Sequence, residues 1–143
     1  MSGTFLVKDS YEDRWTLEHA AEFGFSERVT QKLKKVVAGH EASFHLAVKY
    51  GVKIAFGSDG LDMPPGENAK QFRDYIAWGM APNDAILTAT RNAAELLGIS
   101  DQVGVIRVGM HADMIAVPGD VLQDPRQLEH VKFVMQDGRI VKH

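Results

Sequence analysis

Val52-Lys53-Ile54-Ala55-Phe56-Gly57-Ser58-Asp59-Gly60 is a short apolar run that hands over to a polar, glycine-flanked turn. A run this brief and apolar on both faces suits a strand inside a parallel sheet covered by helices. The residues on either side supply those helices. Upstream, from Ser26, the residues Val29, Leu33, Val36, Val37, His40, Phe44, Ala47 and Val48 recur at spacings of three and four. Lys32, Lys34, Lys35 and Glu41 fall between them, which predicts an amphipathic helix facing a core. Ser26 stands at the N-cap position and Gly51 at the stop. Downstream, a Gly/Pro-rich loop reaches Gly66 and two helices follow. The first, over 68–80, buries Phe72, Tyr75, Ile76 and Met80. The second opens with Pro82 and closes at Gly98, with Ala85, Ile86, Ala89, Ala93, Leu96 and Leu97 as its apolar face.

Further out the pattern changes. Gly3-Thr4-Phe5-Leu6-Val7 is a short β-rich opening, followed by a polar stretch over 8–14. Residues 15–25 are ambiguous: Trp15, Phe23 and Phe25 favour burial, while Gly24 weakens a helix. Beyond residue 102 come short β-rich runs at 103–108, 112–117, 131–135 and 139–141, and Asp137-Gly138 is a hairpin signal. The chain therefore divides into an α/β unit over 1–102 and a small antiparallel β unit over 103–143.

Composition bounds the function. The 143 residues carry 16 Lys plus Arg against 19 Asp plus Glu, a net charge of -3 that offers no lure for nucleic acid or an anionic membrane. No apolar run approaches the ~20 residues that span a bilayer, and Met1 to Lys8 shows no export signal, so a cytoplasmic location is expected. The absence of cysteine removes disulfide scaffolds, thiolate metal sites and cysteine nucleophiles. No P-loop, GxGxxG or nucleophile elbow occurs. A closed eight-stranded α/β barrel needs at least ~200 residues, more than this chain provides.

Asp59 is the most informative position, because the carboxyl ends of parallel strands open into the ligand crevice. A carboxylate there can hold a divalent metal and take a proton from water acidified by that metal. The alternative is ordinary turn chemistry, with Asp59 capping a Gly-Ser-Asp-Gly turn. The histidines add no ligand set. His40 and His45 are five apart, which points them roughly 140° from each other on a helix. His40 falls on the apolar stripe and His45 outside it, and His19, His111, His130 and His143 have no spacing partner. Glu18, Glu22, Asp101, Asp120 and Asp124 are expected on solvated faces and turns.

The stretch Gly51-Val52-Lys53-Ile54-Ala55-Phe56-Gly57-Ser58-Asp59 resembles the last barrel strand of metal-dependent amidohydrolases, in the branch of imidazolonepropionase and the Xaa-Pro dipeptidase-like enzymes. The likeness continues through Gly66-Glu67-Asn68-Ala69 and through Ala85-Ile86-Leu87-Thr88-Ala89-Thr90-Arg91-Asn92-Ala93-Ala94. It closes on Gly104-Val105-Ile106-Arg107-Val108-Gly109-Met110-His111-Ala112-Asp113-Met114-Ile115 and Val134-Met135-Gln136-Asp137-Gly138-Arg139. It covers about residues 39–143.

The resemblance implies part of a (β/α)8 barrel, its last strands and helices, followed by part of a small β-sandwich built from both chain ends. It also implies that Asp59 matches the final-strand aspartate, a metal ligand and the general base of amide hydrolysis. The family's His-x-His, its bridging lysine or equivalent and its two later histidines would lie upstream, and Pro65 stands where the family often has His. The chain thus resembles the carboxyl-terminal third of an amidohydrolase acting on C–N bonds in small molecules. Its divalent metal, zinc, belongs to the complete enzyme and is not expected to stay on these residues, which are inactive alone. The alternative is a non-catalytic scaffold acting through self-association or a partner chain. Either way, the uncovered edge of strand 52–57 predicts a homo-oligomer or pairing with a missing amino-terminal portion.

Overall fold

The computed structural model describes residues 5–8, 11–59 and 63–143. Gly3 and Thr4 of the β-rich opening, and Gly60 of the turn, lie outside the described residues. Strand β1 (Phe5–Lys8) runs parallel to β2 (Lys53–Phe56), with Leu6 opposite Ile54 and Lys8 opposite Phe56. Between them come α1 (Glu12–Glu18) and α2 (Glu27–Lys49). This is the helix-covered parallel arrangement that the doubly apolar run implied.

The ambiguity over residues 15–25 has a physical source. Helix α1 buries Glu12 and Thr16 rather than an apolar stripe, so periodicity does not reveal it. Polar links hold it instead: Arg14 donates two 3.0 Å hydrogen bonds to the Asp74 carboxylate, and His40 Nε2 lies 3.1 Å from Asp13 Oδ2. Helix α2 spans the expected range and buries His40, Phe44 and Ala47. Ser26 takes the extended cap conformation there without a side-chain cap bond.

The core lies between β2 and the helices. Ile54 meets Phe44, Ala47, Tyr75 and Ala85, while the Phe56 ring sits 4.6 Å from Phe72 and 5.9 Å from Tyr75. The helix expected at 68–80 begins as a 3-10 turn (Glu67–Lys70) and continues as α3 (Gln71–Ala77). The single helix expected from Pro82 to Gly98 is two, α4 (Pro82–Thr88) and α5 (Arg91–Leu97). Thr88 and Thr90 explain the break, since their hydroxyls donate to the Ala85 and Ile86 carbonyls and Thr90 leaves helical geometry at φ -121, ψ -97. The break also resets the buried face: Ala94 is buried, whereas Ala89, Leu96 and Leu97 are exposed.

The last third is an antiparallel sheet, β3 (Met114–Ala116), β4 (Phe133–Gln136) and β5 (Arg139–Lys142), in that spatial order. Asp137 and Gly138 make the β4–β5 turn with φ 47 and 74, as the hairpin signal required. The run 103–108, expected as a strand, is irregular. Its pattern suits a strand, but it pairs with no described strand, and Ile106 and Val108 are almost fully exposed. Gly104 makes a close approach at φ +97, where a Cβ would come within 2.7 Å of Ala94 Cβ. No described helix is long and apolar enough to cross a membrane.

Candidate active site

Because β1 and β2 are parallel and in register, the segments that follow them leave from one end of the pair. Tyr11 follows β1, and Ser58 and Asp59 follow β2. Asp59 is exposed, and its backbone takes the left-handed conformation, φ 57, that few residues with a side chain adopt. Among the described residues its carboxylate has no hydrogen-bond partner.

Two sets of contacts surround this exit. The fully buried Gln71 amide donates to the Gly57 carbonyl at 3.1 Å and to the Tyr75 oxygen at 3.0 Å. Nearby, Tyr11 Oη donates to Glu67 Oε2 at 3.1 Å, and the Lys70 ammonium pairs with the same oxygen. Lys70 and Arg14 lie 5.6 and 5.3 Å from the centre of the Tyr11 ring. The hydrogen bond from Lys70 holds the Glu67 carboxyl below its usual range, and Glu67 in turn raises Lys70. Burial raises the Tyr11 hydroxyl. The charges of the cluster are thus matched to each other.

The described residues contain no group of three or more His, Cys, Asp or Glu able to hold a metal. Four of the six histidines have contacts of their own: His19 stacks on Trp15 at 4.0 Å, His40 pairs with Asp13, and His45 and His111 lie 3.5 and 3.4 Å from Glu41 and Asp137. Asp120 and Asp124 accept hydrogen bonds from the backbone N–H groups of Leu122 and Arg126 and serve as turn residues. A catalytic zinc site requires three protein donors, so these residues do not by themselves fit the metal.

The family described as the amidohydrolase family matches residues 3–142. The chain is a member of the amidohydrolase family. The match extends the likeness upstream of residue 39 and takes in β1, α1 and the first half of α2. Among solved amidohydrolase relatives, a Xaa-Pro dipeptidase with methionine bound in its active site superposes with a TM-score of 0.91 at 35% identity, over 98% of this chain and 35% of that one. Ochratoxinase from Aspergillus niger is 33% identical over 116 residues, which is 78% of this chain and 24% of that protein. Imidazolonepropionase from Shewanella pealeana is 62% identical over 34 residues, 24% of this chain and 8% of that enzyme. This amidohydrolase chain therefore spans about a quarter of ochratoxinase and about a third of the dipeptidase.

Sequence reasoning singled out Asp59 and missed Gln71, Tyr11, Glu67 and Lys70. A signal for Gln71 was present: it falls four residues before Tyr75, on the same helical face, as a polar residue among Phe72, Tyr75 and Ile76.

Proposed function

We propose that this chain supplies the carboxyl-terminal part of an amidohydrolase that cleaves C–N bonds of amide or peptide type in small molecules. In this reading β1 and β2 are the last two strands of a (β/α)8 barrel, and β3 to β5 belong to a small β-sandwich. Asp59 is a metal donor and the base that takes the proton of the attacking water. The observation that carries the reading is Asp59, an exposed carboxylate with no partner among the described residues, at the end of an in-register parallel strand pair. A divalent metal, zinc, supplies Lewis acidity in the complete enzyme. Its remaining ligands come from outside these residues, and the chain alone neither keeps the metal nor hydrolyses amides.

Asp59→Asn keeps the shape and removes the base. In the protein that carries residues 1–143, it should lower kcat by about 10²–10⁴-fold. Steady-state hydrolysis of a panel of dipeptides and N-acyl amino acids measures it, and unchanged turnover in the variant overturns the assignment.

The second reading, a scaffold that acts by association, is supported by the uncovered apolar side chains Leu97, Ile106, Val108 and Ile115. It predicts a dimer or larger assembly by light scattering in a protein that Asp59→Asn leaves functionally unchanged. A monomer with a cooperative melt counts against it.

A further inference from the structure

We propose that Gln71 is a positioning residue for Asp59: its buried amide anchors the Gly57 carbonyl and so sets the conformation in which Asp59 leaves β2. The proposal rests on the reading of Asp59 as the reacting carboxylate.

A glutamine amide in the interior is costly unless it is hydrogen-bonded, and Leu or Met would fill the same volume without that cost. Gln71 is nonetheless fully buried, on the face of α3 that packs on the core. Its amide nitrogen reaches the Gly57 carbonyl, 14 residues back, and the oxygen of Tyr75, itself fully buried one turn along α3. Gly57 directly follows the last residue of β2, and Asp59 is two residues further on.

Asp59 leaves β2 in the left-handed region, which an aspartate tolerates better than most residues but still at a cost of roughly 1 kcal/mol. Its own carboxylate makes no hydrogen bond to the described residues. Among the described residues, the side chain that tethers the backbone leaving β2 is Gln71, through the Gly57 carbonyl.

The test uses the protein that carries residues 1–143, labelled at Asp with ¹³C and ¹⁵N, with dipeptide turnover measured in parallel. Gln71→Met keeps the length and removes the donor. The Asp59 Cα and Cβ shifts should lose their left-handed signature while those of Asp84, at the start of α4, stay in place. Turnover should fall by about 10²-fold, mainly in kcat, as expected for a reacting group displaced by about 1 Å. Gln71→Glu donates to Gly57 only when protonated. Its Asp59 shifts should therefore match those of wild type at the same low pH and depart from those of wild type at the same pH as pH rises. Asp59 shifts unmoved in Gln71→Met, or a Gln71→Glu protein that follows wild type at every pH, overturn the proposal. Full turnover in Asp59→Asn instead sinks the reading on which it rests, whatever the shifts do.

Discussion

The two ends of the chain are built to different standards. Up to Ala94, strand β2 lies against α2, α3 and α4, and every buried side chain of the described residues belongs to this part. From Glu95 to His143 no residue is buried, although β3, β4 and β5 form a regular ladder with a well-made turn. Hydrogen bonding and turn chemistry are therefore enough to shape a sheet, but not to give it a core. A three-stranded sheet gains independent stability from a hydrophobic face that something covers. In the second region Ile115, Ile140 and Val141 remain exposed.

The contrast is broken or sharpened first by truncating one side chain in each region. Tyr75→Ala should cost about 3–5 kcal/mol in a denaturant melt, because it empties a site between Phe44 and Phe56. Ile140→Ala, at a position 57% exposed, should stay within about 0.5 kcal/mol. A loss at Ile140 as large as that at Tyr75 would mean that polypeptide outside these residues covers the sheet.

The seam between the regions comes next. Gly104→Ala places a methyl 2.7 Å from Ala94 Cβ at a backbone φ of +97. It should destabilise by about 1–3 kcal/mol, read as a lowered Tm. Unchanged stability would show that the seam gives way freely and that Ala94 is not a fixed margin of the core.

The smallest effects are electrostatic. Each region holds a carboxylate below its usual range, Glu67 beside Lys70 and Asp124 beside Arg126, the latter at about 2. For both, the folded value lies below the unfolded one, so each contributes stability at pH above its unfolded value and loses it as pH falls through the folded one. In an NMR acid titration Glu67 should protonate below its ordinary 4.5 and Asp124 near 2. Arg126→Ala should return Asp124 toward 3.8 and leave Glu67 unmoved. An Asp124 that titrates normally with Arg126 present would remove the ion pair from the account.

The same contrast explains what was legible in the sequence. Helix α2 and strand β2 were readable because their burial is written as apolar spacing, and the hairpin because Asp137-Gly138 is tied to one turn geometry. Helix α1 was not, because Arg14–Asp74 and His40–Asp13 join residues far apart in the chain. The run 103–108 misled because β-rich composition does not supply a strand to pair with. At the candidate site Asp59 was visible from its place after the strand. Gln71 was not singled out, since its meaning depends on the carbonyl that it meets.

The central claim is that Asp59 is one donor of a metal centre whose other donors lie outside residues 1–143. Zinc analysis of the isolated chain after dialysis, with a dipeptide hydrolysis assay on the same sample, tests it most directly. The account predicts far less than stoichiometric zinc and no turnover, because a single carboxylate supplies one of the three or four donors that such a site needs. A full equivalent of zinc retained by the single chain, with hydrolysis, would contradict it.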